Sequence, residues 1–242
     1  MYALENTYWW FQGRKEIVLR LLRRYTPLGD DDLSVLDVGC GTGLMLDSLR
    51  PYARPVGLDF SRLSMTYCAR RGIERLVCAR VEALPFGVET FDLLLALDLF
   101  EHIDDDAALM REMWRLCRPG GHLLITVPAY PFLWSEHDEA LHHRRRYCRS
   151  TLRQLIALTD FEVVRFTSAI ALMLPPIVTF RLAQKVFKPK GENAPKTHLI
   201  PLPQTINRLL IALLKTEAQW LQRFNLPFGV SLVALLRKPE SK

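Results

Sequence analysis

Val35-Leu36-Asp37-Val38-Gly39-Cys40-Gly41-Thr42-Gly43 decides how this chain is read. An apolar run passes into three glycines on alternate positions and then into Leu44–Arg50, which predicts a buried strand, a tight turn and a helix. Glycines in such a turn permit positive φ and let a ligand approach the backbone closely. Three kinds of ligand compete for it. A dinucleotide turn needs GxGxxG, which would place Leu44 where the third glycine belongs. A Walker-type phosphate loop needs GK[ST], and no lysine follows these glycines. The third is a cofactor without a pyrophosphate. Asp37, just before the glycines, would repel phosphate but can orient the loop or meet a cationic amino-acid moiety.

Outward from this turn the chain alternates. Strands are predicted at Ser34–Val38, Pro55–Asp59, Arg75–Val81, Phe91–Leu97, His122–Pro128, Glu162–Thr167 and Val230–Arg237. Helices are predicted at Arg14–Tyr25, Leu44–Arg50, Arg62–Arg71, Asp106–Cys117 and Ser150–Leu158. Asp105 or Asp106 suits a helix start, and Pro119-Gly120-Gly121 a stop. The pattern is that of an α/β protein, with a doubly wound, mostly parallel, seven-stranded Rossmann-like sheet. Tyr130–Arg149 reads as a loop. Between the last two strands lie helical patterns at Ile170–Lys188 and Gln204–Phe224, joined by a link at Lys188–Pro203. That span is too long for a structureless connection. The expected organisation is an N-terminal helical lid (1–32), a cofactor-binding domain (33–168 with 229–242) and a helical insertion (169–228).

Acids at successive strand ends support the third kind of ligand. Asp59 closes the second strand at the carboxyl edge, where open sheets bind ligands, and a carboxylate there can accept hydrogen bonds from two ribose hydroxyls. Glu82 follows the third strand, where an adenine amino group needs an acceptor. The stretch resembles the class I methyltransferase family in its branch with a DVGCGTG first motif. The resemblance runs from about Leu33 to Pro128 through Leu84-Pro85-Phe86, Phe91-Asp92-Leu93, Glu101-His102-Ile103 and Arg118-Pro119-Gly120-Gly121. It implies S-adenosylmethionine lying across Gly39, Cys40, Gly41, Thr42 and Gly43, with ribose on Asp59 and adenine near Phe60, Glu82 and Ala83. The backbone at Leu97 and Asp98 would flank the methionine part, and Arg14 would meet its carboxylate.

A second cluster, Leu133-Trp134-Ser135-Glu136-His137-Asp138-Glu139-Ala140-Leu141-His142-His143-Arg144-Arg145-Arg146-Tyr147, follows the fifth strand and should overhang the same edge. It is similar to the LWSxHDExxxHxRRY stretch of a bacterial subgroup of these enzymes. The subgroup's ends are matched by Trp9-Trp10-Phe11-Gln12-Gly13-Arg14 and by Leu226-Pro227-Phe228-Gly229-Val230-Ser231-Leu232. Methyl transfer relies on alignment and needs a base only when the acceptor loses a proton. His143 and His137 are the candidate bases, with Asp138 to orient an imidazole, and Tyr147 is a third candidate. Trp134, Arg145 and Arg146, with Arg144 beside them, would contact the acceptor, the arginines gripping a phosphate or carboxylate. Equally, these arginines could pair with Asp138 and Glu139 and pin the loop. Trp9 and Trp10 could form a lid or staple the N-terminus to the core, and His102 is read as a helix-start residue lining the site.

The chain has 242 residues, a formal charge of +6 and 49% hydrophobic residues, so it can bury a full core. Five cysteines without CxxC spacing argue against a disulfide framework or a zinc site, and suit a reducing cytoplasm; no metal is expected. No run of about 20 apolar residues is present to cross a bilayer. The insertion's apolar helices, trailed by Arg181, Lys185, Lys188 and Lys190, suit internal packing, a homodimer contact or the anionic inner face of a membrane. The expected activity is methyl transfer from S-adenosylmethionine, leaving S-adenosylhomocysteine, to a small or lipid-linked, anionic acceptor. An RNA methyltransferase is the rival within enzymes, although no RNA-binding module is apparent. A non-catalytic cofactor-binding scaffold is the rival outside them.

Overall fold

The computed structural model describes residues 2–29, 32–187 and 202–240, so most of the Lys188–Pro203 link lies outside the described residues. Its element order is α1 (Trp9–Tyr25), β1 (Ser34–Val38), α2 (Leu44–Leu49), β2 (Arg54–Asp59), α3 (Arg62–Arg70), β3 (Leu76–Cys78), β4 (Phe91–Leu97), α4 (Asp106–Leu116) and β5 (Cys117–Pro128). Then follow α5 (Glu136–Ala140), α6 (Arg149–Ile156), β6 (Glu162–Ala169), α7 (Leu174–Phe187), α8 (Gln204–Leu221) and β7 (Ser231–Arg237). The seven strands form one sheet in the order β3-β2-β1-β4-β5-β7-β6. β7 runs antiparallel to both neighbours, and the other pairings are parallel.

Order and sequence reverse between β1 and β4. The chain builds outward to β3, then returns to lay β4 on the other side of β1. At such a switch point the connections after the two strands diverge and leave a crevice at their carboxyl ends. The glycine turn leaves β1 there, and Asp98, Glu101 and His102 leave β4 there. Leu36, Val38, Leu94, Ala96, Leu123 and Ile125 are buried on one face of the sheet, and Val35, Leu93, Leu95 and Leu124 on the other. Continuous burial of this kind explains why these strands read as apolar runs without alternation.

Some boundaries differ from the sequence reading for identifiable reasons. α1 begins at Trp9 because Asn207 of α8 accepts a hydrogen bond from the Trp9 amide at 2.9 Å. That cap comes from the far end of the chain, where no local signal announces it. Gly13 explains the approach of the two helices: a Cβ there would lie 2.1 Å from the Leu214 Cδ1 atom. α1 therefore packs against α8 and the sheet, with Ile17, Val18, Leu21 and Leu22 buried in the core. The carboxylate of Glu217 fastens α8 further by accepting from the amides of Ile170 and Ala171. β5 starts at Cys117 and not His122, because the Gly120 amide donates to the Lys238 carbonyl (2.8 Å) and draws the Pro-Gly-Gly turn into the sheet. β3 is the opposite case, shorter than its apolar run, since only Leu76–Cys78 pair with β2.

Candidate active site

The glycine turn is held by the end of β2. The amides of Gly39 and Cys40 donate to the Leu58 carbonyl at 2.7 and 3.0 Å. Asp59 accepts from the Gly41 amide through Oδ2 (2.9 Å) and from the Ser61 amide through Oδ1 (2.8 Å). Gly39, Gly41 and Gly43 all take positive φ, and a Cβ on Gly41 would meet nothing within 4 Å. A backbone turn with open space above it is where a ligand can lie directly on the peptide.

The surrounding groups suit S-adenosylmethionine. A carboxylate has about four lone-pair directions, so Asp59 retains capacity for two ribose hydroxyls. Phe60, next along the chain, is 74% exposed and offers a ring face at the same edge; Glu82 and Ala83 are also exposed, with Glu82 paired to Arg80. Asp37 is buried, and burial followed by the nearby charge of Asp59 pushes its carboxyl up to about 8. The α-ammonium and sulfonium of the cofactor would compensate such an acid, whereas a phosphate would aggravate it.

Two segments outside the motif complete this edge. Glu5 accepts from the Thr42 hydroxyl (2.5 Å) and pairs with Arg71 (2.7 Å), whose Nε donates to the Thr42 carbonyl (2.8 Å). The side chains of Glu5 and Arg71 are both buried, so the N-terminal segment straps the glycine loop to the end of α3. Neither residue carries a sequence signal for this role. Arg14 reaches the edge too, but its guanidinium pairs with Asp98 (2.6 Å) and donates to Thr126 (3.2 Å). The expected contact with a cofactor carboxylate thus meets an arginine already engaged by a protein one. Asp98 holds φ +52 at the end of β4, where its amide donates to the carbonyl of Thr126. Leu97 before it is half-buried.

Loop 130–147 is more ordered than its sequence suggests. Ser135 and Asp138 form a capping box that starts α5, and an isolated bridge joins Ala129 to Tyr147. Asp138 is fully buried and collects four contacts: the Ser135 amide (2.9 Å) and hydroxyl (3.2 Å), the His143 Nδ1 (2.9 Å) and the Arg146 Nε (2.7 Å). Burial would raise its pKa, but His143 and Arg146 outweigh that and hold the carboxyl well below the usual range. The His143 ring stacks edge-on against His102, with centroids 4.7 Å apart. His102, Glu101 and His143 each bring a ligand atom within 4.8 Å of the others.

Several expectations change here. Tyr147 is not presented to a ligand: it is a core residue whose hydroxyl donates to Asp106 (2.7 Å), and burial then Asp106 raise its pKa. Arg145 is paired with Asp106 (2.9 Å) and donates to the Asp104 carbonyl (2.8 Å). Arg146 bonds Asp138 and the Ala129 carbonyl (3.1 Å), and Arg144 lies near Asp104 (3.3 Å). The guanidiniums of Arg145 and Arg146 are thus engaged in pinning the loop, whereas Arg144 stays 58% exposed. His137 is driven down to about 4 by burial and the charge of Arg181, so it is a neutral, poor base. Trp134 remains half-buried on the loop.

Arg181 of α7, which its sequence context places on a helix's polar side, reaches this region instead. Its Nη1 is buried without a hydrogen-bond partner among the described residues, and burial followed by Arg146 lowers its pKa.

Residues 36–125 match a family model described as a methyltransferase domain. A ubiquinone biosynthesis O-methyltransferase from Serratia proteamaculans is 26% identical over 225 residues, covering 76% of this chain and 86% of the relative. One from Parvibaculum lavamentivorans is 33% identical over 103 residues, covering 40% and 41%. Among solved structures, the N-methyltransferase NodS from Bradyrhizobium japonicum, in complex with S-adenosylhomocysteine, superposes with a TM-score of 0.59 at 15% identity, covering 95% of this chain and 88% of that one. The [4+2]-cyclase SpnF superposes with 0.59 at 20% identity, covering 93% and 81%. At these identities the two structures report the fold. Residues 36–125 thus match a methyltransferase domain, and the relatives together with the fold support an S-adenosylmethionine-dependent methyltransferase of the class I kind.

Proposed function

We propose that this enzyme methylates a hydroxyl oxygen of a small or lipid-linked, anionic acceptor bound beneath loop 130–147. The observation that carries the reading is His143, anchored through Nδ1 on the buried Asp138 at the carboxyl edge shared with the glycine turn. A ring with Nδ1 committed to a carboxylate presents Nε2 as a proton acceptor.

When bound, S-adenosylmethionine supplies a methyl carbon activated by its sulfonium charge. The acceptor hydroxyl passes its proton to Nε2 of His143 as the oxygen–carbon bond forms. The bound donor would give up the methyl carbon with the carbon–sulfur electron pair left on sulfur, so that S-adenosylhomocysteine would be the other product. Asp138 and Arg146 keep the imidazole in one orientation, so alignment costs little at the moment of transfer. The two relatives named for O-methylation in ubiquinone biosynthesis support oxygen as the acceptor atom.

Anion recognition falls to Arg181, whose Nη1 is buried without a hydrogen-bond partner among the described residues and whose charge is felt together with that of Arg146. An apolar tail is supported by α8 and the turn after it, where Ile206, Leu209, Trp220 and Phe224 stay 45 to 59% exposed. Such a flank suits a lipid-linked acceptor drawn from an anionic membrane surface. Among the described residues, no helix is long and apolar enough to cross a membrane.

The test is transfer of isotope from labelled S-adenosylmethionine into fractionated cell extract. Label in a small-molecule or lipid fraction is expected. Label in RNA, or in no fraction, would overturn the reading in favour of an RNA enzyme or a scaffold. Co-sedimentation with anionic vesicles at physiological salt tests the membrane part, and a protein left wholly in the supernatant would remove it.

A further inference from the structure

Glu101 is fully buried, and neither of its carboxylate oxygens has a hydrogen-bond partner among the described residues. An ionised carboxylate in that condition is costly, so a proton or a cation has to neutralise it. Two imidazoles stand next to it. His143 commits Nδ1 to Asp138, which leaves Nε2 as a lone pair. The His102 ring stands edge-on to the His143 ring, with centroids 4.7 Å apart, and brings a nitrogen to the same point.

We propose that Glu101, His102 and His143 form a binding site for one divalent first-row cation, open on the acceptor side. The three ligand atoms already lie within 4.8 Å of one another. Around one ion they would stand about 3.3 Å apart, given metal–ligand distances near 2.0–2.2 Å, so side-chain shifts of roughly 1 Å close the set. Two neutral nitrogens and one carboxylate favour a borderline ion such as Mn2+, Fe2+, Co2+ or Zn2+ over Mg2+ or Ca2+. The Asp138–His143 pair is the outer carboxylate that fixes a ligating imidazole. With only three protein ligands, positions remain for a hydroxyl of the acceptor, whose proton the ion would make easier to lose.

The site rests on the acceptor reading for the ion's purpose but replaces its base: with an ion bound, Nε2 of His143 is a ligand and no longer the proton acceptor, and the acidified hydroxyl loses its proton to solvent. It also departs from the absence of a metal expected from the cysteine pattern. That expectation considered thiolate sites, while this set joins a Glu-His pair after β4 to a histidine on a distant loop.

The experiment uses the dialysed full chain titrated with Co2+ and followed by visible absorption, with S-adenosylhomocysteine affinity measured on the same samples. One Co2+ per chain is expected, with ligand-field bands that Zn2+ abolishes. Glu101→Gln and His102→Gln should each weaken Co2+ at least about tenfold, and Asp138→Asn about 10- to 100-fold. S-adenosylhomocysteine should bind these variants as it binds the parent. No stoichiometric Co2+, or binding indifferent to Glu101→Gln and His102→Gln, would overturn the site. If Co2+ fails while S-adenosylhomocysteine still binds and label is still transferred, the methyltransferase reading stands without the ion. Should Glu101→Gln not fold, His102→Gln and the parent's bands decide alone.

Discussion

The two sides of the cleft are built by different means. The cofactor side is made mostly of backbone: three glycines in positive φ, amides bonded to the end of β2, and a carboxylate placed by the end of a strand. Its groups keep open capacity, as at Gly41 and Asp59. The acceptor side is made of side chains drawn from β4's end, loop 130–147 and α7, and most of them already satisfy one another. A site made from backbone tolerates few sequences and is written locally. A site made from side chains depends on which distant groups meet, so the same residue types can pin a loop or hold a ligand.

Asp59→Ala strikes the cofactor side hardest. It removes the carboxylate proposed to hold the ribose and also frees the amides of Gly41 and Ser61. Calorimetry should show S-adenosylhomocysteine affinity falling at least about 100-fold. Unaltered affinity would move the nucleoside elsewhere and end the comparison.

Asp138→Asn is the matching blow on the acceptor side. Methyl transfer should fall about 100-fold, while S-adenosylhomocysteine affinity stays within about threefold. Breaking the buried pair with Arg146 should also cost about 3 kcal/mol of stability, read by denaturant unfolding. If both affinity and transfer fell together, the two sides would not be separable.

Asp37 gives a smaller, pH-dependent effect. Its raised pKa means that the folded protein holds this proton more tightly than the unfolded chain. The associated stability is complete below about pH 4 and is lost as pH rises through about 8. Asp37→Asn cannot ionise, so its melting temperature should gain on the parent's by a few degrees or more as pH rises across that window. Cofactor binding at pH 7 should release up to one proton from the parent, detected by calorimetry in buffers of different ionisation enthalpy, and none from the variant. Equal release from both would show that Asp37 does not face the cofactor's cation.

Gly13→Ala should have the least effect on chemistry. The added Cβ collides with Leu214 at 2.1 Å, and overpacking of this kind costs about 1–3 kcal/mol, partly offset by better helix propensity. A melting temperature lower by a few degrees with unchanged S-adenosylhomocysteine affinity is expected. A marked loss of affinity would show that the α1–α8 contact sets the position of Glu5 on the glycine loop.

Particular residues show how far the sequence can be read. The strands are legible as apolar runs, with β3 and β5 differing mainly in extent. Asp37, Asp59 and the glycines are legible because their roles follow from position along a strand–turn–helix unit. Arg145, Arg146 and Tyr147 mislead a local reading. Asp104 and Asp106, which engage Arg145 and Tyr147, lie on the connection after β4, and Arg146 turns inward to the buried Asp138. Glu5, Arg71 and Arg181 carry no signal for the places they take. Glu101 is visible only as part of a Glu-His pair, and its burial is a property of the packed protein.

What the amino-acid order determined by itself is the sheet, the glycine turn and the row of acids at its edge, because hydrophobic period and turn chemistry act over a few neighbouring residues. Tertiary structure alone decided which of the histidines and arginines remain available. Their state depends on partners brought in by other strands and helices, and on burial that makes an unpaired charge expensive.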